Sequence, residues 1–507
     1  MVLYYQTVRN AQAFLQARLG LQLPATFAPR AKIPNHTRMP DVHYLSLTEQ
    51  STLLRSKKIS PLELLDHHLA RISKLNPSLN AFISTDAEAA RATARSLEKS
   101  PADQQGPLHG IPISIKSSFE VKNWRAECGS ALRKNYISSE DAVLVQRLRA
   151  AGAIPIGSTN VPEFLMAYET DNLLYGRTNN PYDLSRTSGG SSGGESAAIS
   201  AGLSSAGIGS DGGGSIRIPA HYTGICGLKP TPGRIPGTGH YPASAGPFTQ
   251  MGVVGPLART VADLTTLFEV LAGPDIGDPA SAPVPLAKLS PSEIKNLRIG
   301  YFEEDGAVAV TEDTAKAVRD AAAALSSQGF AVEPFTPRNF ERVWQLWWNL
   351  FGRGVQMAME PTIEGRESEL SPLFVAFRKR VFEAPPLTAR DLMNTLLGRD
   401  ALRAMLLEKM EEFPIIISPV CAIPAFRHGE RDWQVRGREV EYLKAMSYSQ
   451  WWNILGFPAA VVPFAQSPEG LPIGVQIIGR PWCEEQILAI AAAIESVSPT
   501  RHLHPPL

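Results

Sequence analysis

Short apolar runs, each closed by a turn or a polar residue, recur at both ends of this chain. GPLHGIPISIK (106–116) reads as a turn into a short strand ending at Lys116. AVLVQRLRAAGAIPIGSTN (142–160) reads as helix, turn and strand. The pattern resumes far downstream with LRIGYF, PIIISPV (414–420), AAVVPF (459–464) and GVQIIG (474–479), followed by a helix over 484–495. Helices alternating with buried strands define an α/β sheet. The interval 338–412 between these stretches reads as mostly helical, with aromatic clusters and a Pro pair at 385–386. Strands on both sides of it make it an insertion in one large α/β body.

Upstream, residues 1–75 form a helical region ahead of a body spanning 76–507. Ala11, Phe14, Leu15, Leu19 and Leu21 recur at roughly helical spacing, which favours packing on the body over lying on a membrane. Two capping sequences, Ser46-Leu-Thr-Glu49 and Ser60-Pro-Leu-Glu63, open the next helices. Residues 85–100 and 312–328 are further helices.

Composition removes several classes of function. Of 507 residues, 49 are Lys or Arg and 49 are Asp or Glu, so the net charge is zero and no polyanion such as nucleic acid is expected as a partner. Cys128, Cys226, Cys421 and Cys483 are scattered, with no CxxC pair and no His/Cys cluster at metal spacing. A reducing, cytoplasmic setting is expected, with no metal and no cofactor. MVLYYQTVRN has no basic start and no apolar run, so no secretory leader is expected, and no apolar stretch is long enough for a membrane span.

Three polar features stand out from this background. The first is Lys116 at its strand end. The second, GGSSGGES (189–196), satisfies G-x-S-x-G, but a nucleophile elbow needs a strand running into the serine, and NNPYDLSRTS is turn chemistry. No GK[ST] follows for a phosphate loop. On its own this segment reads as a serine-capped helix start. The third, SDGGGSIRIP (210–219), places three glycines before Ser215 amid apolar neighbours. Successive glycines let backbone N–H groups converge as an anion nest beside a hydroxyl, which is what acyl transfer requires. Serine needs a base. His109 and His221 read as ordinary polar residues at element ends. Lys116 is either a buried base with a lowered pKa or a side chain reaching solvent, and spacing does not choose between them.

Taken together, GPLHGIPISIK, NVPEF, TNNPYD, GGSSGGESAA, GSDGGGSIRIPA and GLKPTPGR resemble the amidase signature family in order and spacing. The resemblance covers most of 60–260 and returns over 414–480. It implies a mixed central β-sheet covered by helices on both faces, with 338–412 shaping the substrate pocket. It implies Ser215 as acyl nucleophile, Ser191 after a cis peptide as proton relay, and Lys116 as base. It further implies an oxyanion hole from the N–H groups of Gly212, Gly213, Gly214 and Ser215, supported by Ser192, Asp211 and Arg217. Ser117 departs from the acidic residue that many members carry after the lysine.

Trp344, Trp347, Trp348 and Phe351 share one helix face. Core packing explains most of such a stripe; one or two members, Trp348 first, are expected to reach the pocket. Leu165, Met166 and Tyr168 fall where related enzymes line the acyl side, and Trp451 and Trp452 are weaker candidates. The expected activity is hydrolysis of small amides with aryl or alkyl groups, extending to carbamates or esters. A homodimer is compatible with the resemblance. Two other readings remain: a glutaminase subunit of a tRNA-dependent amidotransferase, against which Ile218 counts, and a non-catalytic binding protein.

Overall fold

A computed structural model describes residues 41–507. The segment 8–21 lies outside the described residues. Thirteen strands occur among them. They are β1 (Phe82–Thr85), β2 (Pro112–Lys116), β3 (Ile154–Thr159), β4 (Ala206–Asp211), β5 (Cys226–Lys229), β6 (Val253–Ala258), β7 (Arg298–Tyr301), β8 (Ala331–Pro334), β9 (Ile415–Pro419), β10 (Asp432–Val435), β11 (Arg438–Glu441), β12 (Ala459–Gln466) and β13 (Pro472–Gly479). Eleven of these build one sheet in the order β1-β3-β2-β4-β6-β5-β12-β13-β9-β7-β8, while β10 and β11 pair separately as a hairpin. The sheet is mixed: β3, β2 and β4 run parallel, as do β9, β7 and β8, and the strands between pair antiparallel.

The uninterrupted apolar character of the central strands follows from burial on both faces. Ile415 and Ile417 of β9 pack into one core, whereas Ile416 packs into the other. The same alternation sends Ala460 and Val462 of β12 one way and Ala459 and Val461 the other. Helices Val261–Leu271, Glu312–Ser327 and Glu484–Val497 supply residues to the first core. Helix Arg217–Thr223, helices Phe340–Trp347, Pro372–Phe382 and Ala389–Glu412, and helix Ser447–Ile454 supply the second. The interval 338–412 contains helices Phe340–Trp347, Val355–Ile363, Pro372–Phe382 and Ala389–Glu412, with a π-helical turn at Trp348–Gly354. It therefore stands on the sheet face that also carries the Gly-Gly-Gly-Ser turn.

Near the start, helices Leu47–Arg55 and Pro61–Leu79 each open with a complete capping box, at Ser46/Glu49 and Ser60/Glu63. The boundary expected at 75/76 falls inside Pro61–Leu79, whose Leu64, Leu65, Ile72 and Leu79 are buried in the body's cores. Among the described residues, no helix is long and apolar enough to cross a membrane.

The Ser60 box satisfies two otherwise orphaned backbone donors. Ser60→Ala should cost about 1 kcal/mol of stability, measured as a lowered denaturant midpoint; an unchanged midpoint would show that the cap contributes nothing.

Candidate active site

The parallel neighbours β2 and β4 end side by side at Lys116 and Asp211, at the carboxyl edge where open α/β sheets bind their ligands. The Lys116 side chain is fully buried. Its Nζ lies 2.8 Å from Ser191 Oγ, 2.9 Å from Ser192 Oγ and 2.9 Å from Ser210 Oγ. No carboxylate bonds it among the described residues. Burial pushes the ammonium down to about 7, because a charge without a counter-ion is disfavoured away from water. Three hydroxyls, each able to donate or accept, can partner a neutral amine as well as an ammonium.

Ser191 follows a cis Gly190–Ser191 peptide. Gly190 has no room for a side chain, since a Cβ there would lie 2.6 Å from the Ala167 carbonyl oxygen. Ser192 occupies the N-cap position of helix Gly193–Ser200, yet its hydroxyl makes no cap bond and serves Lys116 instead. The serine-cap reading of this segment is thus replaced by a lysine-binding one. The Ser192 N–H donates to the Ser215 carbonyl at 3.1 Å, tying the two serine segments together. One turn into the same helix, buried Glu195 accepts from the Ser114 hydroxyl of β2 and from the Thr159 hydroxyl of β3, the latter at 2.5 Å. Burial raises its carboxyl to about 7. Gly207 of β4 makes space for this acid, since a Cβ there would overlap Glu195 Oε1.

The glycine turn is organised by Asp211. Its carboxylate accepts from Gly214 N–H at 2.7 Å, from Ile216 N–H at 3.1 Å, and from Arg217 Nε and Nη2 at 3.0 Å each. Both side chains of this ion pair are fully buried. Burial works to raise the Asp211 carboxyl, but the Arg217 guanidinium outweighs it and holds the group well below the usual carboxylate range. Arg217 also donates to Gln476 at 3.2 Å and to Asn453 at 2.5 Å. Gly214 has φ +121°, a conformation that favours glycine. Its N–H, counted among the expected oxyanion donors, is taken up by Asp211. The N–H groups of Gly212, Gly213 and Ser215 have no protein acceptor among the described residues.

Ser191, Ser210 and Ser215 open onto a cavity of about 610 Å³. Leu165 and Met166 line it as expected, together with Phe164, Phe248, Phe351 and Met359. Tyr168 and Trp348 do not. Tyr168 lies behind the glycine turn, where its hydroxyl donates to the Gly213 carbonyl at 3.0 Å and accepts from Gln450 at 2.8 Å. Trp348 is turned into the insertion, stacked on Trp344 and edge-on to Phe377. The π-helical turn brings Phe351 to the cavity instead, and the preceding Trp347 donates to the Gly212 carbonyl at 3.0 Å. Trp451 and Trp452 are core residues. His221 cannot serve as base: its Nδ1 accepts from Gly474 N–H at 2.8 Å, its Nε2 meets the Ile423 carbonyl at 3.3 Å, and burial lowers its pKa to about 4. Among the described residues, no His/Cys/Asp/Glu group could hold a metal.

The sequence did not single out Ser210, Glu195, Asn453 or Gln476, and it placed Trp347 on the aromatic stripe without foreseeing its bond to the Gly212 carbonyl. One signal was present: Gln476 interrupts an otherwise apolar strand, GVQIIG, and a polar group there requires partners.

The sequence profile of the Amidase family matches residues 63–488. The chain belongs to the amidase signature family, and its mixed sheet covered by helices is that family's fold. It is 33% identical over 471 residues to an acylamidase of Rhodococcus erythropolis, covering 90% of this chain and 96% of that protein. It is 34% identical over 487 residues to a glutamyl-tRNA(Gln) amidotransferase subunit of Roseiflexus sp. strain RS-1, covering 90% of this chain and 97% of that one. The crystal structure of a bacterial aryl acylamidase of the amidase signature family superimposes with a TM-score of 0.80 at 27% identity, covering 90% of this chain and 97% of that one. Identity therefore does not separate a hydrolase from a component of an amidotransferase, and the site must.

Asp211→Asn leaves Arg217 buried without its counter-ion and should cost about 3–5 kcal/mol. The sign with pH is fixed by the lowered carboxyl: its contribution is present above the ordinary Asp value of about 4 and is lost as pH falls toward the folded-state value. Unfolding measured between about pH 4 and 2 should lose stability more steeply in the parent protein than in the D211N variant; parallel curves would refute the assignment.

Proposed function

We propose that the protein is an amidase that hydrolyses the C–N bond of carboxylic amides through a serine acyl-enzyme. The observation that carries this reading is a buried, counter-ion-free Lys116 2.8 Å from Ser191, on a loop bonded to the Ser215 segment. Ser215 Oγ attacks the amide carbonyl while its proton passes to Ser191 and the Ser191 proton to neutral Lys116. The N–H groups of Gly212, Gly213 and Ser215 stabilise the oxyanion. The proton returns through Ser191 to the departing nitrogen, so the amine leaves neutral. Water then attacks the ester, giving the carboxylic acid and free Ser215. Ser192 and Ser210 hold Lys116, and Asp211 and Arg217 hold the turn. The same acyl chemistry extends to carbamates and esters.

Phe164, Leu165, Met166, Phe248, Phe351 and Met359 favour an aryl or alkyl acyl group in the cavity. Against a glutaminase role, no lysine or arginine is among the described residues lining the cavity, whereas free glutamine carries an α-carboxylate that needs a cation. Ile218 is apolar and fully buried beside Gly214.

Hydrolysis of a panel of anilides, fatty-acid amides, carbamates and glutamine should rank glutamine last; strict glutamine preference together with stable partner chains would reverse the reading. Ser215→Ala should lower kcat by roughly a thousandfold or more and abolish fluorophosphonate labelling, with Lys116→Ala nearly as damaging and Ser191→Ala severely impaired but folded. In the parent enzyme kcat/KM should fall as pH drops through about 7, because Lys116 takes up a proton and ceases to be a base. A flat profile down to about pH 5 would remove Lys116 from that role.

A further inference from the structure

Each unpartnered N–H of the glycine turn belongs to a peptide unit whose carbonyl points the other way, and each of those carbonyls is held. The Asp211 carbonyl, on the same peptide as the Gly212 N–H, accepts from Asn453 Nδ2 at 2.9 Å. The Gly212 carbonyl, paired with the Gly213 N–H, accepts from Trp347 Nε1 at 3.0 Å. The Gly214 carbonyl, paired with the Ser215 N–H, accepts from Ile218 N–H at 2.7 Å. The remaining peptide differs: its Gly213 carbonyl accepts from the Tyr168 hydroxyl, while its Gly214 N–H is bonded to Asp211. A planar trans peptide fixes the N–H direction once the carbonyl is anchored. A glycine run without such anchors would rotate freely.

We infer that Trp347 and Asn453 are positioning residues of the oxyanion hole, aiming the Gly213 and Gly212 N–H groups at the reacting carbonyl by anchoring the opposite end of each peptide. The inference rests on Ser215 being the nucleophile. Trp347 acts from the helical insertion. Its ring stacks on Phe351 at 5.1 Å between centroids, and Phe351 lines the cavity against Gly212. The apolar wall and the side chain that aims the donor thus belong to one stacked aromatic pair. Asn453 is held in turn by Arg217 and also donates to the Met251 carbonyl at 3.0 Å, which fixes its amide so that Nδ2 faces Asp211.

The test compares Trp347→Phe with Tyr168→Phe. Each deletes one hydrogen bond to a carbonyl of the same turn, and each keeps an aromatic ring in place. Trp347→Phe should lower kcat on an anilide by on the order of tenfold and weaken phenylboronic acid, which mimics the tetrahedral state, by the same factor. Binding of the anilide to an enzyme already carrying Ser215→Ala should be unchanged by Trp347→Phe. Tyr168→Phe should lower boronate affinity by less than about twofold, since the N–H of its peptide is not an oxyanion donor. Equal losses from the two variants, or a loss in anilide binding matching the loss in boronate affinity, would mean general packing and overturn the inference. So would an unaffected Trp347→Phe enzyme. If Ser215→Ala retained turnover, the nucleophile reading itself would fall, which is a separate outcome. Should Trp347→Phe fail to fold, Asn453→Ala read against the same boronate and anilide decides in the same way.

Discussion

The buried pair of Asp211 and Arg217 is the contact on which the rest of the site depends. One carboxylate draws in two backbone N–H groups and a guanidinium, so the chain between β4 and the next helix has no freedom to open. Removing two charges from water is costly unless every remaining valence is satisfied. Here Gln476 from β13 and Asn453 from a distant helix complete the guanidinium's partners. The pair therefore joins the parallel edge of the sheet, where Lys116 and the serines sit, to the antiparallel centre.

Around that anchor the site divides its electrostatics sharply. Asp211 is strongly ionised because Arg217 faces it, whereas Lys116, with hydroxyls as its only hydrogen-bond partners among the described residues, is weakly basic. Two ionisable groups at the ends of neighbouring strands thus have opposite characters set by their surroundings alone. Glu195, one turn behind the serines, adds a bolt from the serine-bearing helix to β2 and β3.

Much of this was legible in the sequence. Helix–strand alternation announced an α/β sheet, the family resemblance implied helices on both its faces, and the two capping boxes marked helix starts to the residue. Lys116 bonds Ser191, and Ser191 and Ser215 line the same cavity, although spacing alone left Lys116 undecided and read the 189–196 segment as a cap. What stayed hidden shares one cause. Trp347, Asn453 and Gln476 act on a turn that lies 135 residues or more upstream in the chain, and no local periodicity encodes such a partnership. Trp348 departs from its expected place for a related reason. A regular helix would keep Trp348 and Phe351 in step, but the π-helical turn at Trp348–Gly354 shifts the register and turns Phe351 rather than Trp348 to the cavity.

The sheet order has a consequence for the newly made chain. β4 and the glycine turn are synthesised early, yet Asn453 and Gln476, which tie them to the rest of the sheet, are among the last tenth or so to emerge. β5, beside the turn, waits for β12 to cover its free edge. Closing such long loops precedes the reward of forming the contacts. A ribosome-bound or truncated chain therefore holds this turn by the local Asp211 contacts alone, and the longer-range ties arrive only when the carboxyl-terminal strands have docked.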